Sequence, residues 1–133
     1  MRKLVLPLIG LLLAGCVAAQ APSPTSTPSQ RPGDMSFDSV VALKDAAVRT
    51  GFYCERWRQT DQVQLAVQSG TCSERDVFSI YLSSADVSAA VQALKRLPVE
   101  VHLLVGPNWI INSRYVLSLK ENMGGMIVTA SNG

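Results

Sequence analysis

The stretch Gln20–Asp34 reads QAPSPTSTPSQRPGD, four prolines among small polar residues with no large apolar side chain. Such a stretch has nothing to bury against the entropy of ordering it. It predicts an extended, partly polyproline spacer of about 3 Å per residue, on the order of 40 Å in reach. A chain of 133 residues interrupted there has room for one folded domain and not for two. That domain is placed at residues 36–133. The Ser/Thr/Pro mixture could also accept O-glycans, although a plain spacer accounts for the same composition.

Ahead of the spacer, Arg2 and Lys3 precede an apolar run from Leu4 to Leu13, followed by Ala14, Gly15 and Cys16. Basic residues, a short apolar run and small residues in that order make a secretory signal, assigned to residues 1–15. At about ten residues the run falls short of the roughly 20 needed to span a bilayer. The tetrad Leu13-Ala14-Gly15-Cys16 resembles the lipobox of bacterial lipoproteins. That resemblance implies diacylglyceryl transfer to the Cys16 thiol and cleavage just before it, so that residues 16–35 form a lipidated N-terminus and linker. Two or three acyl chains at about 0.8 kcal/mol per buried methylene hold such an anchor without a basic patch. The expected location is the outer face of the cell membrane, with the lipid anchor on Cys16 as the contact to it. Val17 and Ala18 follow the cysteine, in place of the aspartate linked to inner-membrane retention in Gram-negative relatives.

Charge narrows the partners. The formal net charge is +2, but two of the 12 basic residues, Arg2 and Lys3, belong to the leader, and the rest balance the 10 acidic ones. No surplus remains to neutralise phosphates, so nucleic acid is not expected as a partner. With 47% apolar residues the chain is not a disordered one. One histidine and three cysteines leave little material for a metal cage, and no cofactor is expected.

Within the domain, Ser36 reads as an N-cap for a first helix with Phe37, Val40, Val41, Lys44, Ala47 and Val48 at helical spacing and Gly51 as its stop. Val63, Leu65 and Val67 alternate with Gln62, Gln64, Ala66 and Gln68 as a half-buried strand, Ser69–Ser73 reads as a turn, and Val77–Leu82 as a second strand, antiparallel if the connection is a hairpin. Ser83–Asp86 has capping-box spacing ahead of Val87, Ala90, Val91, Leu94 and Leu97, a second helix closed by Pro98. Val101–Val105 and Trp109–Ile111 flank the turn Gly106-Pro107-Asn108. Asn112 or Ser113 caps a third helix with Tyr115, Val116 and Leu119 inward, ended by Gly124-Gly125, and Met126–Thr129 closes the chain as a strand. The order αββαββαβ predicts an α+β two-layer sandwich, a mainly antiparallel sheet with helices on one face. A βαβ crossover around the second helix would make the sheet mixed.

With Cys16 assigned to lipid, Cys54 and Cys72 remain as an even pair in an exported protein, which predicts a disulfide. No nucleophile elbow, phosphate-cradling glycine loop or metal-binding histidine spacing appears. His102 sits inside a strand, and the carboxylates Glu55, Asp61, Glu74, Asp76 and Asp86 are scattered. Two features suit binding. Glu55-Arg56-Trp57-Arg58 sets an indole between guanidinium groups, and Gly106-Pro107-Asn108-Trp109 carries an indole on a rigid turn. Trp and Arg dominate binding hot spots, which makes Arg56, Trp57, Arg58, Asn108 and Trp109 a candidate surface; the competing reading is that both indoles pack into the core.

The segment Cys54–Cys72 with Thr60-Asp61-Gln62-Val63, the strand Asp76–Tyr81, and Leu104-Val105-Gly106-Pro107-Asn108-Trp109-Ile110-Ile111-Asn112 resemble those of small uncharacterised lipoproteins of high-GC Gram-positive bacteria. The likeness covers most of residues 37–129. It implies localisation and fold, and carries no activity. The expected function is a non-catalytic domain on a lipid anchor that binds an envelope protein or small ligand. A prophage-type exclusion or inhibitor lipoprotein is the alternative, and a hydrolase with an unrecognised site the weaker one.

Overall fold

The structure, a computed structural model, describes residues 31–132. The leader, Cys16 and most of the linker lie outside the described residues. Three helices and six strands follow one another as α1 (Val40–Arg49), β1 (Arg58–Gln59), β2 (Gln68–Ser73), β3 (Asp76–Ile80), α2 (Ser84–Lys95), β4 (Val101–Val105), β5 (Trp109–Asn112), α3 (Val116–Met123) and β6 (Met126–Ala130). The α+β class agrees with the sequence reading, and so does the order of elements apart from the added two-residue strand β1.

α1 starts three residues later than the sequence predicts. Ser39, not Ser36, is its N-cap, accepting from the Ala42 N–H at 3.1 Å. Ser36 fails as a cap because both backbone groups of the next residue are taken outside any helix: the Asn108 carboxamide accepts from the Phe37 N–H (2.9 Å) and donates to the Phe37 carbonyl (2.8 Å). α1 ends in a Schellman motif, with Gly51 at φ +101°, its N–H on the Val48 carbonyl and the Phe52 N–H on Ala47. α2 is capped as read, by Ser83 accepting from the Asp86 N–H while its hydroxyl donates to the Asp86 carboxylate.

The expected strand Val63–Val67 is absent. Residues 60–67 form a loop in which Asp61 (φ +52°) and Leu65 (φ +68°) adopt left-handed conformations, and the strand occupies Gln68–Ser73, most of which reads as a turn. Ser69 explains the exchange. Fully buried, it accepts from Thr60 N–H and Asp61 N–H on its carbonyl, donates its own N–H to the Asp61 carboxylate, and accepts from Val63 N–H on its hydroxyl. A serine whose polar groups are all satisfied by an adjoining loop can be interior in a strand.

The sheet runs β1-β2-β3-β5-β4-β6 with every neighbouring pair antiparallel, so it is not mixed. The connections β3-α2-β4 and β5-α3-β6 each skip one strand and join strands that point the same way. Such connections are right-handed as a rule. Both advance toward the β6 edge, but along oppositely directed strands, which puts α2 and α3 on opposite faces. The expectation of helices on one face therefore holds for α1 and α3 only. These pack over Phe78, Ile80, Leu104, Trp109 and Ile111, while α2 covers Tyr81, Val101, Leu103, Val105 and Ile110 on the other side.

The folded unit also reaches further toward the N-terminus than residue 36. Pro32–Asp34 forms one 3₁₀ turn pressed so closely on the α3–β6 connection that a Cβ on Gly33 would lie 2.1 Å from the Gly125 nitrogen. The Trp109 indole N–H donates to the Met35 carbonyl at 2.9 Å. Arg31–Phe37 is thus a strap across the α1/α3 face.

Two predictions follow from this packing. Trp109 has no exposed surface, and Trp109→Ala should lower the unfolding free energy by about 3–5 kcal/mol in urea titrations. Burial raises the Tyr81 hydroxyl above the ordinary tyrosine value of 10.0, partly offset by its hydrogen bond to Ser79. Between the ordinary and the raised value only the unfolded chain loses the proton, so stability is intact below pH 10 and falls as pH rises beyond it. Tyr81→Phe should flatten this alkaline decline, and Ser79 keeps a partner in the Ile110 carbonyl.

Candidate functional site

The structure separates the residues singled out as a binding surface. Trp109 is enclosed beneath the strap, edge-on to Phe37 at 6.1 Å, and the Asn108 side chain is occupied by Phe37. Trp57 is half-buried, edge-on to Phe78 at 5.9 Å, and lies on Gly70, where any Cβ would come within 2.5 Å of the indole. Lys44 Nζ stands 5.8 Å from the indole centroid. Arg56 and Arg58 alone are exposed. Trp109 is a core residue and Trp57 a partly buried one that packs against that core, and no single patch gathers the five.

The predicted disulfide is present. Cys54 and Cys72 are bonded with Cα atoms 5.0 Å apart, tying the segment after α1 to β2. On one side of this bond Arg56, Arg58, Glu55 and Glu74 line a shallow polar groove. On the other opens a cleft of about 420 Å³ between the end of α1, the β2–β3 turn and the start of α3. Glu55, Cys72 and Ser73 border both.

The cleft is built by alternation along an extended segment. After the Schellman turn, Phe52 points in, edge-on to Phe78 (5.6 Å) and Tyr115 (6.3 Å); Tyr53 points out and is 81% exposed; Cys54 points back to the disulfide. The floor is polar. Asp76, 8% exposed, accepts from the Ser73 hydroxyl on one oxygen and the Ser113 hydroxyl on the other, both at 2.6 Å. Each hydroxyl accepts in turn from a backbone N–H, of Arg75 (3.2 Å) and Tyr115 (3.1 Å). The buried carboxylate thereby joins the β2–β3 turn to the β5–α3 connection at Ser113, through bonds whose donors are themselves polarised. At the rim the Arg114 guanidinium lies 5.0 Å from the Tyr115 ring centroid.

The cleft thus combines two carboxylates (Glu55, Asp76), one guanidinium (Arg114) and three aromatic rings (Phe52, Tyr53, Tyr115). Of the two serines that line it, Ser73 donates its hydroxyl to Asp76 and Ser118 is exposed on α3; the single histidine, His102, lies on β4 paired with Glu100 at 3.1 Å. Among the described residues no group of three His, Cys, Asp or Glu side chains is placed to hold a metal ion.

Sequence reasoning passes over Asp76, Ser113, Arg114 and Tyr115 as site residues. One signal was available: Ser73-x-x-Asp76 has the same spacing as the helix cap Ser83-x-x-Asp86, yet no helix follows it. No protein family, curated protein or solved structure matches the chain.

Because the disulfide closes a separation of 18 residues, the variant Cys54→Ala/Cys72→Ala should lose about 3 kcal/mol of stability. Thermal melts should show a reductant lowering the wild-type midpoint toward that of the variant and leaving the variant unmoved.

Proposed function

We propose that the protein is a lipid-anchored envelope lipoprotein whose α+β domain is a non-catalytic binding module, with the cleft between α1, the β2–β3 turn and α3 as its ligand-binding site. The observation that carries this reading is the composition of that cleft. Aromatic rings beside fixed charges of both signs, on a floor pinned by Asp76, suit orientation of a ligand of mixed apolar and polar character. The Ser73 hydroxyl is engaged with Asp76, and no imidazole lines the cleft to activate it or Ser118, which favours binding over nucleophilic chemistry.

The position of the cleft suits a tether. The strap enters at the C-terminal end of α3, beside Gly124 and Gly125, whereas the cleft lies at the N-terminal end, beside Tyr115 and Ser118. A helix of eight residues separates the two by about 12 Å. A lipid on Cys16 and the proline-rich spacer would attach the domain at the end of α3 opposite the cleft and leave the cleft open.

Two measurements test the two halves of this reading. Cys16→Ala should shift the protein from the membrane to the soluble fraction and abolish incorporation of labelled fatty acid; unchanged fractionation contradicts the anchor. A photo-crosslinking amino acid at Tyr53, installed in cells, should give one adduct of defined mass that Tyr115→Ala/Arg114→Ala suppresses. Absence of any adduct at Tyr53 contradicts the cleft as binding site.

A further inference from the structure

The two edges of the sheet are unlike. On one side β1 has two residues, Arg58 and Gln59, both exposed, a short charged edge of the kind that resists further pairing. On the other, β6 has five, Met126–Ala130, and from Gly124 to Gly133 the chain has no charged residue and no proline. Among the described residues nothing pairs with the outer side of β6.

The register shows which backbone groups are open. The His102 carbonyl accepts from the Ser113 N–H, so His102 directs its backbone groups toward β5. Alternation then directs those of Val101, Leu103 and Val105 toward β6, where they face Ala130, Val128 and Met126. The N–H and C=O of Ile127 and Thr129 therefore point out of the sheet. Two open residues flank one closed residue, which is a two-fold symmetric arrangement. An antiparallel copy of the same strand would pair Ile127 with Thr129 of the second copy and Thr129 with its Ile127, using all four open groups on each side. Val128 would face its own counterpart across the axis.

We propose that β6 is a self-association edge, joining two copies of this chain antiparallel into one continuous twelve-stranded sheet. The two-fold pattern of open groups and the absence of charge favour a second copy. Met126, 61% exposed, adds an apolar side chain to the contact. The chain's own spacer is a poor occupant, because Pro22, Pro24, Pro28 and Pro32 have no N–H to offer a ladder. A five-residue edge buries little area and associates weakly in free solution. The proposed anchor on Cys16 would overcome this by confining both partners to one surface, where effective concentration replaces affinity; the pairing itself does not rest on the anchor.

The test uses Val128→Cys, which sets two thiols across the axis at the short spacing of a non-hydrogen-bonded pair, with Leu117→Cys, 72% exposed on α3, as the control. Mature lipidated protein is oxidised on phosphatidylcholine vesicles, and mature Cys16→Ala protein is oxidised at high concentration in solution. Dimer cross-linking at position 128 well above that at position 117 in both settings supports the proposal. Thr129→Pro, which removes an outward N–H and none of the β4 pairing, should reduce that cross-linking about tenfold or more, the effect of two missing hydrogen bonds per dimer. Thr129→Lys provides the same test if the proline variant fails to fold. Equal cross-linking at 128 and 117 in concentrated solution, indifference to both Thr129 variants, or cross-linking of position 128 in cells only to a different protein overturns it. Failure to bind vesicles with cross-linking retained in solution counts against the anchor and leaves the edge pairing supported.

Discussion

Everything on the α1/α3 face is positioned by the corner where the turn Gly106–Asn108 meets the strap. Trp109 fills the space beneath the strap and holds the Met35 carbonyl by its indole N–H, and its neighbour Asn108 holds both backbone groups of Phe37. Three hydrogen bonds spanning 71 to 74 residues of sequence thus fix where α1 begins. From that start follow the register of Val40, Leu43 and Ala47 over the sheet, the Schellman turn at Gly51, and the alternation that carries Phe52 into the cleft and Cys54 to its disulfide. The corner is built of residues that could have formed an exposed recognition turn; their burial makes them architectural.

Polar residues tie the loops together in the same way. Ser69 organises residues 60–67, Asp76 joins the β2–β3 turn to the β5–α3 connection, and Ser79 links Tyr81 to β5. Among the described residues no buried side-chain polar atom lacks a partner. Since an unpaired buried polar group costs about 1–3 kcal/mol, each of these contacts constrains its loop to one conformation. The cleft inherits its shape from one such constraint: its floor and its rim belong to different segments held in place by a single carboxylate.

Periodicity made α2, β4, β5 and β6 legible, because in these segments one chemical pattern coincides with one buried face. Capping chemistry made Ser83 legible, and an even cysteine pair behind an expected export signal made Cys54–Cys72 legible. The failures share a cause. Ser36 looks like a cap until Asn108, distant in sequence, takes Phe37; Ser69-Gly70-Thr71 looks like a turn until Trp57 and the loop at Asp61 supply the packing and the hydrogen bonds that a strand of small polar residues needs. Helix placement on two faces depends on the strand order, which no local pattern encodes. The cleft was out of reach for the same reason, since Glu55, Asp76 and Tyr115 come from three separate segments that meet only once the sheet is assembled.

The strap has a mechanical meaning as well. A chain pulled from its N-terminus receives the load at Arg31–Phe37, and the strap passes it through Met35 and Phe37 to Trp109 and Asn108, at the head of β5. That strand is central, laddered to β3 on one side and β4 on the other, so several rows of hydrogen bonds share the force along their length. Before it reaches those rows the load meets packed backbone, because Pro32–Asp34 presses on the α3–β6 connection at Gly124 and Gly125. A domain held at this end is fastened to the middle of its sheet as well as beside its β6 edge.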